Sequence, residues 1–245
     1  MGYFISNKIH DLRMKNQAVT SEQMYKIEEN GQKIFGMKRL LMMENAGHKT
    51  ADFLLRRFGV GLKEKKIVAI CGSGNNGGDT FVACRHLAAA CIRNITILLI
   101  PKPKDLRTSE ALTNWNIIRK MKSLEKITLG YNKEKDLGHV IETETEDSDI
   151  ILDGLLGTGV KGKIREPLSS AIDKINQSKA YVLAIDVPSG LDPTTGEPSN
   201  KCIEANATIT FHRMKKGLDI GKKYTGNIYV EKIGIPSEAE EGVLI

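Results

Sequence analysis

At 245 residues, with 40% hydrophobic and 27% charged side chains, the chain is long enough for one sizeable core and has the balance of a folded, water-facing protein. No apolar run approaches the ~20 residues of a membrane span, which argues against a membrane protein. The net charge of +6 is spread over short clusters (Lys63-Glu64-Lys65-Lys66, Lys215-Lys216, Lys222-Lys223) without interleaved aromatics, so they read as solvated surface rather than a nucleic-acid groove.

In chain order, Thr20-Ser21-Glu22-Gln23 is a capping box that predicts a helix to about Phe35, ended by Gly36. Residues 1–19 before it read as an N-terminal extension of a single domain spanning 1–245. A second helix, Lys38 to Phe58, places Leu40, Leu41, Ala46, Ala51, Leu54 and Leu55 on an apolar face. Strands are then expected at Lys66–Cys71, Ile95–Ile100, Ile127–Gly130, Asp149–Asp153 and Tyr181–Asp186. Helices fall between them at Thr80–Ala90, Ser109–Met121, Lys133–Glu142 and Pro167–Ile175. Ala207–Phe211 and Asn227–Ile233 look like closing strands. Apolar strands joined by helical crossovers predict a Rossmann-like three-layer α/β/α fold with a mostly parallel central sheet, preceded by an N-terminal helix pair.

Ligands of such sheets sit at the carboxyl ends of the strands. After the first strand comes Gly72-Ser73-Gly74-Asn75-Asn76-Gly77-Gly78-Asp79, a glycine turn leading into a helix. Its match to the dinucleotide fingerprint is formal, but two amides and a carboxylate exceed what a phosphate loop needs, so it reads as a polar ligand site. After the fourth come Asp153-Gly154 and the glycine-punctuated Gly157–Lys163; after the fifth, Asp186-Val187-Pro188-Ser189-Gly190. The second strand is followed instead by Pro101-Lys102-Pro103-Lys104, with no acid for a ribose diol, which argues against an ordinary NAD dehydrogenase. No Gly-Lys-Ser/Thr follows the glycine turn and no Gly-x-Ser-x-Gly surrounds Ser189, so a P-loop phosphotransferase and a serine hydrolase fit poorly. Cys71, Cys84, Cys91 and Cys202 form no C-x-x-C pair and read as free thiols of a reducing compartment. With no hydrophobic leader at the N-terminus, a cytoplasmic protein is expected. The five histidines are scattered, and His212, after a core strand, reads as structural.

Leu41-Met42-Met43-Glu44-Asn45-Ala46-Gly47, Asn75–Asp79, Asp153–Gly159, Ile185–Asp192 and Ala207–Phe211 with Lys215–Leu218 resemble, in this order, the segments of the NAD(P)H-hydrate epimerase family, the YjeF N-terminal domain. Thr80 departs from the pattern, which commonly has a further glycine there. The resemblance implies an isomerase interconverting the R and S forms of NADHX and NADPHX at C6, in its stand-alone form, with a separate S-specific dehydratase acting downstream. It implies Asp186 as the acid/base, at a strand end whose burial would favour the protonated form. It implies substrate contacts at Asn75, Asn76, Gly77, Gly78, Asp79, Gly157, Thr158, Gly159, Val160, Lys161, Gly162, Lys163 and Asp186. It implies potassium (K+) held by Asn76, Asp153 and Ser189, an oxygen-only set suited to a monovalent cation, and commonly a homodimer. The competing reading is a non-catalytic nucleotide- or protein-binding module on the same fold.

Overall fold

The computed structural model describes residues 18–130, 137–159 and 162–244. Two helices lead the fold, α1 (Ser21–Lys33) and α2 (Arg39–Phe58). The alternating part follows as β1 (Ile67–Cys71), α3 (Asn75–Ala89), β2 (Ile95–Leu99), α4 (Ser109–Ile118), β3 (Glu125–Thr128), α5 (Leu137–Glu146), β4 (Ile150–Gly154), α6 (Leu168–Gln177) and β5 (Tyr181–Ile185). The chain continues through β6 (Ala207–Phe211), two short helices α7 (Lys216–Ile220) and α8 (Lys222–Thr225), and β7 (Asn227–Glu231).

The seven strands form one sheet in the order β3-β2-β1-β4-β5-β6-β7, every pair parallel. Burial explains the sequence pattern. β1, β2, β4 and β6 are buried at every position, which selects largely apolar strands, with Thr96, Asp153, Thr208 and Thr210 the polar exceptions. The edge strands β3 and β7 are only partly covered and carry Glu125, Lys126, Asn227 and Glu231. One face packs beneath α2, α3 and α4, through Phe53, Leu54, Phe81 and Trp115. The other packs beneath α5 and α6, through Ile141, Ile172 and Ile175. The strand order reverses at β1, whose neighbours are β2 and β4; such a switch point leaves a crevice beyond the strand ends.

Several expectations are corrected. Helix α3 begins at Asn75, five residues before the expected Thr80, so the amide–glycine run is helical rather than a turn. β3 lies two residues earlier than expected, and α7 and α8 were not anticipated. On α2, Leu40 and Leu41 are 37% and 53% exposed; the buried stripe is Met42, Met43, Ala46, Gly47, Thr50 and Leu54. Gly47 lets α2 approach α3 closely, because a Cβ there would lie 2.4 Å from Val82 Cβ. Val19, expected in the extension, is fully buried and bonded to the segment after β6: its N–H donates to Met214 O at 2.8 Å, and its carbonyl accepts from Lys216 N at 2.9 Å. The rest of the expected extension through residue 17, and the start of the helix expected from Lys133, lie outside the described residues. No helix among the described residues is long and apolar enough to cross a membrane.

Candidate active site

A cavity of about 730 Å³ opens at the carboxyl edge of the sheet, over the switch point, and is also walled by α1 and α2. Its size is in the range of ~300–1,000 Å³ usual for small-molecule sites. Three strand-end loops build it. The β1 loop and α3 bring Asn75, Asn76 and Asp79; the β4 loop brings Gly157, Thr158, Gly159 and Lys163; β5 ends in Asp186.

The β1 and β4 loops meet through their glycines. Gly72 N–H donates to Gly154 O at 3.0 Å. A Cβ on Gly72 would lie 1.8 Å from Leu155 O, and one on Gly77 would lie 2.4 Å from Gly72 O. Gly77 and Gly78, expected at the substrate, are packed inward instead; a Cβ on Gly78 would meet Met43 Sδ at 2.7 Å. Gly162 has φ +80 and lies outside the cavity lining, with its carbonyl accepting from Ser199 Oγ at 3.0 Å. Val160 and Lys161 lie outside the described residues. Thr80, the departure from the family pattern, is fully buried and donates to Asn76 O at 2.7 Å, pinning the first turn of α3.

Behind the cavity wall lies an oxygen-rich knot. Asp153 is fully buried; its Oδ2 accepts Ser189 N–H at 2.8 Å and its Oδ1 accepts Ser189 Oγ–H at 2.5 Å. Burial pushes the Asp153 carboxyl up to about 6, against the hydrogen bonds from Ser189 and Leu155 that favour its anion. Ser189 Oγ accepts Leu156 N–H at 2.8 Å, and Asn76 Nδ2 donates to Leu156 O at 2.9 Å. Asn76 Oδ1 is buried with no hydrogen-bond partner. An orphaned amide oxygen is costly unless something electropositive faces it, and its neighbours are oxygen donors suited to a hard monovalent cation. The residues present therefore fit potassium. No His/Cys/Asp/Glu group suited to a metal ion occurs among the described residues.

Asp186 occupies a left-handed backbone conformation, φ +63, tolerated by aspartate and asparagine better than by most residues. Its Oδ1 accepts Lys215 Nζ at 2.5 Å, Thr210 Oγ1–H at 3.1 Å and Phe211 N–H at 3.4 Å. Lys215, expected on a solvated surface, has only 2% of its side chain exposed and also donates to Thr210 Oγ1 at 2.9 Å and Phe211 O at 3.0 Å. Asp186 is thus not an isolated carboxyl at an apolar strand end but half of a sequestered ion pair. Glu28 from α1 and Arg39 from α2 line the same cavity and were also missed. Their distance in the chain hid them; the signals for Lys215 were its place just after a buried strand and its inclusion in the last segment of the family resemblance.

His212, expected to be structural, is buried beside this region and outside the cavity lining. It is 1% exposed, its Nε2 lies 2.9 Å from Glu240 Oε1, and burial, then Lys232, pulls its pKa down to about 4. A base with a depressed folded value gives stability that is full above its unfolded value and is lost as pH falls through the folded one. Wild-type protein should therefore lose up to about 3 kcal/mol between pH ~6.5 and ~4 through this group. In chemical denaturation across that window, His212→Asn, which suits the φ of +62, should show a smaller loss; an unchanged acid limb would refute the assignment.

The chain's similarities to known proteins agree with this architecture. Residues 39–217 match the family described as YjeF-related protein N-terminus. The chain is 44% identical over 228 residues to a protein of Nitrosopumilus maritimus named NAD(P)H-hydrate epimerase, covering 92% of this chain and 99% of that one. It is 45% identical over 226 residues to a protein of the same name from Cenarchaeum symbiosum, again covering 92% and 99%. It is 40% identical to a bifunctional NAD(P)H-hydrate repair enzyme of Archaeoglobus fulgidus, covering 91% of this chain and 42% of that one. The fold is similar to the crystal structure of yeast ynu0, with a TM-score of 0.70, 21% identity and 87% of each chain covered.

Proposed function

The chain belongs to the family of YjeF-related protein N-termini, and we infer from that membership and from its cavity that it is an NAD(P)H-hydrate epimerase, an isomerase of the R and S forms of hydrated NADH and NADPH. One observation carries the reading. The cavity at the sheet's switch point is lined by both Asp186 and Asn76, the latter joined to the Asp153–Ser189 knot through Leu156, in a chain that spans 99% of two relatives named for this activity.

C6 of the substrate carries a hydroxyl and is bonded to the ring nitrogen. Protonating that hydroxyl lets it leave as water while nitrogen stabilises the cation as an iminium; water returning to the other face inverts the centre. Asp186 is the acid/base at that carbon, oriented by Lys215, Thr210 and the Phe211 N–H, all on its Oδ1. Backbone amides of Gly157–Gly159 and the Lys163 ammonium suit the pyrophosphate. Asn75, Asn76 and Asp79 hold the substrate from the α3 side. Asn76, Asp153 and Ser189 would hold potassium, which when bound supplies a fixed positive charge beside the substrate. A separate S-specific dehydratase consumes the S product, and a cytoplasmic site of action suits its soluble substrate. The apolar residues Tyr25, Ile34 and Leu41, 55%, 66% and 53% exposed on the helix pair and its turn, support a homodimer.

The test is a coupled repair assay. Mixed R and S NADHX is given to an S-specific dehydratase, with and without this protein, in potassium or lithium salt. Faster consumption of residual R when the protein is present, dependent on potassium, is the expected result. R that disappears only at its spontaneous rate would leave a non-catalytic binding module.

A further inference from the structure

Three carboxylates line the same cavity: Glu28 from α1, Asp79 from the second turn of α3, and Asp186 from the end of β5. Of the cations that line the cavity, Lys215, after β6, acts on both Asp79 and Glu28, and Arg39, at the start of α2, acts on Glu28, while Arg107, Lys163 and Arg165 also line it; the remaining neighbours from α2 are apolar, Met42, Met43 and Ala46. Lys215 is committed to Asp186. Among the described residues, the carboxyl group of neither Glu28 nor Asp79 has a hydrogen-bond or ion-pair partner. Two carboxyls without a counter-ion thus share one cavity with a third that already holds Lys215.

We propose that Glu28 and Asp79 hold one proton between them and that Asp79 delivers it to the substrate as the acid partner of Asp186. The proposal rests on the epimerase reading above. It gives Asp79 a catalytic role and Glu28 a positioning one. Burial raises the Asp79 carboxyl well above the usual carboxylate range, the charges of Asp186 and Glu28 raise it further, and Lys215 opposes them. Glu28 is raised by burial and by Asp186, against Lys215 and Arg39. Two carboxyl groups whose surroundings differ in this way divide acid and base roles.

The step balances. Asp79 gives its proton to the C6 hydroxyl; the C6–O bond breaks, its electron pair leaving with water, and the nitrogen lone pair forms the C6=N bond. A water molecule then adds to C6, the C6=N electrons return to nitrogen, and Asp186 takes the proton the added water sheds. Asp79 ends as carboxylate and Asp186 as acid, which is the starting state for the reverse conversion; exchange with solvent water resets the pair for another turnover in the same direction.

The experiment is carboxyl-region infrared spectroscopy of the whole protein in D2O at pH ~7.5, above the value of about 6 for Asp153, combined with pH–rate profiles in the repair assay. Wild-type protein should show a protonated-carboxyl band that Asp79→Asn removes and Glu28→Gln weakens or shifts. Asp79→Asn should lower kcat about 10²–10⁴-fold and lose the alkaline limb of the profile, whereas Asp79→Glu should restore part of the rate. Absence of the band from wild type, or its persistence in both the Asp79→Asn and Glu28→Gln proteins, overturns the proposal whatever the rates. A wild-type protein that shows the band yet does not epimerise overturns the functional reading instead, and leaves the shared proton standing.

Discussion

Asp186→Asn should lower epimerase turnover by about 10²–10⁴-fold, the usual contribution of a positioned acid/base, while leaving a folded protein. Asparagine is the informative replacement because it adopts the left-handed backbone that Asp186 occupies at φ +63. Its amide oxygen still accepts from Thr210 Oγ1 and the Phe211 N–H, so the geometry of the strand end is kept. What disappears is the charge opposite Lys215. Removing one partner of a buried pair typically costs ~3–5 kcal/mol. The low end applies here, because Lys215 retains Thr210 Oγ1 and Phe211 O and because Asp186 is 20% exposed. For a chain this long that lowers the melting temperature by roughly 6–12 °C, still a cooperative transition. The coupled assay and a thermal melt on the same sample settle the matter. A variant with wild-type turnover would remove Asp186 from the chemistry; one that melts without cooperativity would place its role in folding.

The strands and the reason for the site's location were legible, since runs such as Val68–Cys71 and Val182–Ile185 are apolar because both faces of the sheet are covered. The strand-end rule then pointed at the loops after β1, β4 and β5, and the family resemblance singled out Asn76, Asp153, Asp186 and Ser189 within them. Boundaries failed where tertiary contacts override local preference. Asn75–Gly78 is a poor helix former, yet Gly77 seats against the Gly72 carbonyl and Gly78 against Met43, which holds the run in α3. Edge strand β3 was read two residues late because Ile127 and Leu129 carry its apolar signal while Glu125 and Lys126 look like loop. Lys215 was misread for a different reason. A lysine beside a lysine looks solvated unless its carboxylate partner is known, and Asp186 lies 29 positions away in the chain. Glu28 comes from a helix outside the alternating fold, where no strand-end argument reaches.

Gly72→Ala should be the most destabilising single-methyl change at the site, costing about 4 kcal/mol or more, the range reserved for strain that packing cannot relieve. The added Cβ would lie 1.8 Å from the Leu155 carbonyl oxygen, and its neighbours there are backbone, which cannot rotate away. Relief requires the β1 and β4 loops to part, which breaks the Gly72 N–H bond to Gly154 O. The same movement draws Asn76 away from the Leu156 carbonyl and from the Asp153–Ser189 knot. Gly74→Ala is the control, two residues along the same loop, because a Cβ there meets nothing within 4 Å. If the glycines of this loop existed to cradle a phosphate, Gly74→Ala would be the more damaging of the two for activity and Gly72→Ala would be mild for stability. If they exist to let two loops touch, urea denaturation should rank them the other way, and potassium should raise the melting temperature of Gly74→Ala as in wild type but not that of Gly72→Ala. The interatomic distances favour the second account: this glycine run, so like a dinucleotide fingerprint in its spacing, joins two strand ends so that one amide oxygen, one carboxylate and one serine can converge behind the substrate cavity.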